Sequence, residues 1–305
     1  MIVPVTGFKL YYWFAYRKND KKLRAAPPMD RYRPVLDRPY GSNRQQVYDL
    51  YLAEEDKRKR ILLIDIHGGY YVRGRHKDAY PFAIPFLEEG FDFLSMEYRL
   101  CGKGVETRDQ LQDVALCLRE LFSHLKELGL EGERRFFLTG DSAGGHLALC
   151  AAEALNEPKL VMDLSGVQLD GVLLNCPSYN YESYRESGFD SEKMKRWYLG
   201  KRYAEPGYLE AISPRTYLKT LQIPVFVSTC KNDFLHSGVK LLEQELIQFG
   251  KEFVFLDLPD EDPKVSHVHN VTDPNLPASK QVNNAMMEFM LKYAEKKKIR
   301  KRAVL

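Results

Sequence analysis

Cysteine is scarce in this 305-residue sequence, and no two cysteines form a C-x-x-C pair. The chain has five, an odd number at wide spacing, which favours neither a zinc site nor a disulfide framework. Unpaired cysteines are typical of a reducing compartment, so we expect a cytoplasmic protein. The five are Cys101, Cys117, Cys150, Cys176 and Cys230.

Long hydrophobic runs are missing as well. The apolar and aromatic stretch that opens the sequence ends by Arg17, which is too short to span a bilayer. No basic region precedes it, as one would in a signal peptide. We therefore expect no stable insertion into a membrane.

Charge of one sign is not in excess either. The 45 lysines and arginines nearly balance the 42 acidic residues, for a formal net charge of +3. A balance this even predicts no strong field for nucleic acid, so no nucleic-acid partner is expected. The basic run 296–302 follows a helical pattern, and we interpret it as a solvated helix end.

One stretch organises what the sequence does have. Apolar residues 136–139 predict a short buried strand, Gly140-Asp-Ser-Ala-Gly144 follows at once, and residues 146–155 predict a helix. Strand, Gly-x-Ser-x-Gly and helix is the context of a nucleophile elbow, in which Ser142 occupies a sharp, strained turn. Taken alone, the pattern also fits an ordinary tight turn or a phosphate-binding glycine loop.

Strand and helix patterns alternate along the rest of the chain. This spacing predicts an α/β fold with a mostly parallel central sheet and helices on both faces. The alternating stretch 47–52 is expected to form an edge strand, because no clear sheet pattern precedes it. The other predicted strands are 60–66, 91–98, 170–176, 223–230 and 253–258, and the other predicted helices are 78–90, 108–128, 237–249 and 279–298.

A catalytic serine needs a base and an acid that orients the base. Asp233 follows the strand that ends at Cys230, and the order Ser, Asp, His matches that of hydrolases. A turn or helix-capping role is the alternative for Asp233, and Asp257 and Asp260 are weaker candidates for the acid. The base is expected to be His267 or His269. These residues occupy alternate positions in one loop, so position alone does not decide which of them is the base.

The same chemistry needs donors for an oxyanion. His67-Gly-Gly-Tyr70 follows a buried strand, and adjacent glycines let backbone amides face a site. The candidate donors are the amides of Gly69, Tyr70 and Ala143. An ordinary glycine turn is the alternative, and His67 itself is better explained as a hydrogen-bonded structural residue.

Taken together, these stretches resemble the α/β-hydrolase superfamily of esterases and lipases, in the group of hormone-sensitive-lipase-like and acetyl esterase-like carboxylesterases. The resemblance runs from about residue 46 to the C-terminal helix. It is carried by the stretches 48–51, 67–74, 97–100, 140–148, 233–235 and 267–270.

The resemblance implies an α/β-hydrolase fold with a small cap. We expect one domain over residues 1–305, with a cap insertion at 177–218 and an N-terminal extension, 1–45, that contributes to the cap. It further implies a serine carboxylesterase acting on short-chain, acetyl-like esters through an acyl-enzyme, with no cofactor and no metal. The expected partner is a small-molecule ester substrate, and a homodimer is left open.

Two departures from the family pattern matter. The family usually has a third glycine where this chain has Tyr70, whose side chain is expected to narrow the acyl site. The family also tends to place an aromatic residue two positions after the catalytic histidine, a register that favours His267 because His269 then takes that position. Two other functions stay open: a serine peptidase or amidase on small peptides, and a non-catalytic ligand-binding protein on a hydrolase scaffold.

Overall fold

Strands and helices alternate along the chain in its computed structural model. The structure describes residues 29–102, 104–157, 161–180, 196, 199–259 and 262–302, with side chains as far as residue 295. Most of the predicted N-terminal extension, residues 181–195 of the predicted cap insertion and Asp260 lie outside the described residues.

The strands are β1 (Val35–Pro39), β2 (Val47–Tyr51), β3 (Ile61–Ile66), β4 (Asp92–Met96), β5 (Arg135–Asp141), β6 (Gly171–Asn175), β7 (Val225–Cys230) and β8 (Phe253–Leu258). The helices are α1 (Tyr80–Glu88), α2 (Thr107–Ser123), α3 (Ala143–Ala154), α4 (Tyr208–Ile212), α5 (Pro214–Tyr217), α6 (His236–Gln248), α7 (His269–Thr272) and α8 (Pro277–Arg302). Short 3-10 helices lie at Met29–Tyr32, His76–Ala79, Lys201–Ala204 and Leu218–Thr220.

The strands form one sheet in the order β1-β2-β4-β3-β5-β6-β7-β8. The five pairings from β4 to β8 are parallel, whereas β1 with β2 and β2 with β4 are antiparallel. The predicted α/β fold with a mostly parallel sheet is therefore confirmed.

The prediction of an edge strand at 47–52 is wrong. β2 pairs on both sides, and the edge is β1, in a stretch where the sequence showed no sheet pattern. β1 is short, bulged between Val35 and Arg38, and ends in Pro39. Bulges, charged residues and proline protect an edge from pairing with other chains, and they also erase the alternation by which a strand is recognised.

Helices cover both faces of the sheet, as predicted. In β3, Leu62 and Ile64 belong to one apolar cluster, whereas Ile61 and Leu63 belong to another. Residues of α2, α3 and α6 extend the first cluster, and residues of α1 and α8 extend the second. No helix within the described ranges combines the length and the apolarity needed to cross a membrane.

Helix α3 carries a buried carboxyl group. Glu153 is fully buried, and neither of its side-chain oxygens has a hydrogen-bond partner among the residues that the structure describes. Burial raises the pKa of Glu153 well above its usual value, although the charge of Lys251 opposes the shift. Burial therefore favours the neutral acid at this position in the folded protein.

Replacing Glu153 by glutamine should make the protein more stable at alkaline pH. In the unfolded chain the carboxyl ionises near pH ~4.3, so the stability associated with its neutral form is complete below that pH. This stability is lost as the pH rises toward the higher pKa of the folded state. Urea unfolding at pH 6 and pH 8 should show the advantage of Glu153→Gln growing by up to about 1.4 kcal/mol per pH unit.

The exposed Glu131 is the matched control, and Glu131→Gln should show no such growth. An advantage of Glu153→Gln that is the same at both pH values would contradict a raised pKa at this position.

Candidate active site

The predicted strained turn is present between β5 and α3. Ser142 has φ of 53° and ψ of −117°, a backbone region that residues other than glycine rarely adopt, and the residue is 4% exposed. A Cβ added to Gly144 would lie 1.9 Å from the carbonyl oxygen of Ile66, and one added to Gly140 would lie 2.4 Å from that of Gly144. The glycines are therefore required because backbone atoms surround the turn.

An acid and a base meet beyond β7. Nδ1 of His267 lies 2.7 Å from Oδ1 of Asp233, which also accepts from the amide of Leu235. The hydroxyl of Thr229 donates to the other oxygen of Asp233 at 2.9 Å. Burial by itself would raise the pKa of Asp233, but the charge and hydrogen bond of His267, with these two donors, hold it below its usual value. Asp233 is thus kept ionised, as an acid that orients an imidazole must be.

The segment after β6 connects the serine turn to this pair. The amide of Ser142 donates to the carbonyl of Asn175, and the carbonyl of Ser142 accepts from the amide of Ser178. Between them, Cys176 Sγ accepts from the amide of Val268, the neighbour of His267. Ligand atoms of Cys176, Asp233 and His267 all lie within 4.8 Å of one another. The structure therefore gathers Ser142, Asp233 and His267 at the carboxyl end of the sheet.

The alternative candidates have other partners. His269 is 3% exposed, and its Nδ1 lies 2.9 Å from the hydroxyl of Ser279. Asp257 pairs with His236 at 3.1 Å and with Lys240 at 3.6 Å. Each of these two residues is thus bound to partners other than Asp233 and His267.

The predicted oxyanion loop lies against the serine turn. The amide of Gly68 donates to Oδ1 of Asp141 at 2.8 Å, which fixes the loop to the residue before Ser142. Gly69 has φ of 127°, and Tyr70 continues the left-handed conformation with φ of 54°. The amide of Ala143 belongs to the first turn of α3, where N–H groups have no acceptor within the helix.

Asp141 and Glu97 were missed by the sequence analysis, although both lie in stretches that it singled out. Nδ1 of His67 lies 2.7 Å from the carbonyl of Gly68, and its Nε2 lies 3.2 Å from Oε1 of Glu97. Because both partners are acceptors, both ring nitrogens must donate, and His67 is held as an imidazolium. Burial lowers the pKa of His67, but the hydrogen bond and charge of Glu97, together with the carbonyl of Gly68 and the charge of Asp141, raise it overall.

Aromatic rings lead from the oxyanion loop to the histidine. The ring of Tyr70 stacks on Phe234, with centroids 5.8 Å apart and planes 2° from parallel. The ring of Phe234 in turn lies 4.1 Å from that of His267. The side chain of Tyr70, which takes the place of the usual glycine, therefore forms part of the wall beside the acid–base pair.

A buried amide network anchors the loop that carries His267. Asn175 Oδ1 accepts from Ser228 at 3.0 Å and from Asn270 Nδ2 at 2.9 Å, and Asn270 Nδ2 also reaches Asn283 Oδ1. Asn270 lies in the predicted His267-Val-His-Asn270 motif, but its partners lie on β6 and α8. No local sequence signal could have identified them.

Part of the chain is similar in sequence to known proteins. The BD-FAE family model matches residues 48–237. Esterase LipQ of Mycobacterium tuberculosis is 26% identical over 201 residues, which cover 63% of this chain and 47% of LipQ. Kynurenine formamidase of Danio rerio is 27% identical over 116 residues, which cover 37% of each chain. The chain thus spans less than half the length of these two relatives.

Solved structures share the whole architecture. Esterase B of Lactobacillus rhamnosis, crystallised with a C4-C4 SN3 tributyrin phosphonate, matches with a TM-score of 0.84 and 20% identity. The match covers 98% of this chain and 97% of that one. The fold is that of α/β-hydrolases.

We predict that His267 and His269 differ sharply when each is replaced. With a p-nitrophenyl ester as the test substrate, His267→Ala should lower kcat nearly as much as Ser142→Ala, and the double variant should be no worse, because residues that act as a unit are not additive. His269→Phe, the matched variant, should keep kcat within about tenfold while lowering Tm, because it loses the hydrogen bond to Ser279. An inactive His269→Phe beside an active His267→Ala would reverse the assignment.

Proposed function

Since the chain belongs to the BD-FAE family, we propose that it is a carboxylic ester hydrolase with a serine nucleophile. The observation that carries the proposal is the 2.7 Å hydrogen bond between His267 and Asp233, at the sheet end where the strained Ser142 lies. Two further points support it: LipQ and esterase B are both named esterases, and esterase B was crystallised with a phosphonate.

The proposed reaction passes through an acyl-enzyme. The hydroxyl of Ser142 attacks the ester carbonyl while His267 takes its proton, and Asp233 holds the imidazole and stabilises its charged form. The tetrahedral oxyanion accepts hydrogen bonds from backbone amides, for which Gly69, Tyr70 and Ala143 are the candidates. His267 then protonates the leaving alcohol, and water repeats the sequence to release the acid.

We propose that residues 177–218, the insertion that follows β6, form the cap. Of its described residues, Ile212 accepts a hydrogen bond from His146 Nε2 through its carbonyl at 2.7 Å, and the hydroxyl of Tyr208 reaches Glu106. His146 lies in the first turns of α3, four residues after Ser142. A cap fixed there would cover the serine turn and confine the substrate.

A second candidate function is amide hydrolysis. One relative is named a formamidase, and the same three side chains can attack an amide carbonyl. A panel of p-nitrophenyl esters and acyl anilides measures the preference directly. A higher kcat/KM for anilides than for esters of the same acyl group would favour the amidase.

Replacing Ser142 by alanine should lower kcat by about 10⁴ or more without unfolding the protein. A fluorophosphonate probe should label one site in the wild-type protein and none in Ser142→Ala, as read by mass spectrometry of the labelled peptide. Ser178→Ala is the matched control, because Ser178 contacts Ser142 through its backbone, and this variant should still be labelled. Labelling of another serine in Ser142→Ala would exclude Ser142 as the nucleophile.

Acyl-chain preference should depend on the ring of Tyr70. We expect kcat/KM to fall steeply from acetyl and butyryl esters to longer ones, because the Tyr70–Phe234 stack restricts the space beside His267. Tyr70→Gly, which restores the usual glycine, should raise activity on octanoyl relative to acetyl esters by about tenfold. Tyr70→Phe keeps the ring and should keep the preference, and a wild-type preference for chains of about ten carbons would contradict the model of a confined site.

A further inference from the structure

Three potential metal ligands meet away from the serine turn. Asp37 lies on β1, Asp49 on β2 and His76 in the 3-10 helix that precedes α1. Their ligand atoms lie within 4.8 Å of one another. Nε2 of His76 is 3.4 Å from Oδ1 of Asp37 and 3.4 Å from Oδ2 of Asp49.

The histidine nitrogen at the centre of this cluster is buried. His76 is 5% exposed, and its Nε2 has no hydrogen-bond partner of good geometry in the described part of the chain. Asp49 is fully buried beside it. A buried nitrogen that faces two carboxylates at 3.4 Å requires a positive charge between them, and either a proton on Nε2 or a metal ion can supply it.

We propose that Asp37, Asp49 and His76 bind a divalent transition-metal ion of the Zn²⁺ type. Zn²⁺ holds imidazole nitrogen and carboxylate oxygen at about 2.0–2.1 Å, so ligands at tetrahedral angles lie roughly 3.3–3.4 Å apart. The two distances from His76 Nε2 match this spacing. The side chain of Asp37 is 55% exposed, which gives the ion an entry path and leaves a fourth position for water.

The surrounding groups hold these ligands as a metal centre requires. Nδ1 of His76 donates to Oε2 of Glu97 at 3.1 Å, which leaves Nε2 as the coordinating nitrogen. Oδ1 of Asp49 accepts from the backbone amide of Asp37 at 2.6 Å, and Oδ2, the oxygen that faces His76, accepts from the hydroxyl of Tyr80. Two of the three ligands are thus fixed from behind.

Two positive groups compete with the ion. A proton on Nε2 also satisfies the two carboxylates, and Lys77 Nζ lies 2.8 Å from the second oxygen of Asp37. Lys77 occupies the oxygen that the metal does not need, so it can remain while the ion displaces the proton.

The ion would have a structural role and would take no part in the reaction. It would join the edge strand β1 to β2 and to the segment that follows the oxyanion loop. Glu97 continues the connection, because its two oxygens contact His76 and His67. The serine chemistry proposed above uses no metal, so evidence against the metal site would leave that proposal intact.

The test uses the full chain after treatment with a chelator. Isothermal titration with Zn²⁺ should show one site per chain, absent with Mg²⁺, and saturating Zn²⁺ should raise Tm by several degrees. Asp37→Asn, at an exposed position that should not affect folding, and His76→Gln should each weaken binding by tenfold or more. Asp257→Asn alters a histidine–carboxylate pair elsewhere in the fold, His236 with Asp257, and should leave binding unchanged.

Zinc X-ray absorption separates this site from the other cluster of potential ligands, Cys176 with Asp233 and His267. We expect only nitrogen and oxygen neighbours at about 2.0 Å, whereas sulfur at about 2.3 Å would place the ion at Cys176 and overturn the proposal. Unchanged affinity in Asp37→Asn and His76→Gln, or no binding to the wild-type chain, would also overturn it.

Discussion

The strained turn at Ser142 is the constraint on which the rest of the site depends. Residues with positive φ other than glycine persist only where the surroundings fix them, and Tyr70, Cys176 and Val268 share a positive φ with Ser142. Each lies at the carboxyl end of the sheet, and hydrogen bonds link three of them. The backbone of Ser142 bonds to Asn175 and Ser178, which flank Cys176 and Pro177, and Cys176 accepts from the amide of Val268. Strain at one position is thus held by its neighbours rather than by its own segment.

Buried charged groups near the site are likewise stabilised by residues of other segments. Asp141 and Glu97 would each be costly as charges in a dry interior, and the imidazolium of His67 offsets part of that cost. It bonds Glu97, and its charge, with the hydrogen bond from the amide of Gly68, opposes the larger effect by which burial raises the pKa of Asp141. Asp141 then holds the amide of Gly68. The oxyanion loop therefore rests on a partly compensated set of charges.

The sequence predicted the parts of the site whose cause is local. Gly140 and Gly144 are dictated by backbone contacts within the turn itself, so a five-residue pattern was enough to identify them. The partnership of Asp233 and His267 followed from chain order and from resemblance, and the structure places these two side chains in contact. The edge strand β1 and the partners of Asn270 escaped prediction, because each depends on residues far away in the chain.

The network of Asn175, Asn270 and Asn283 also constrains the order in which parts of the site form during synthesis. Asn283 lies on the last helix, and it bonds both the side chain and the carbonyl of Asn270. During synthesis the serine turn and the strands around it leave the ribosome first, yet the loop of His267 cannot be anchored until α8 has emerged and docked. The acid–base pair therefore depends on a helix that is synthesised after every strand of the described sheet.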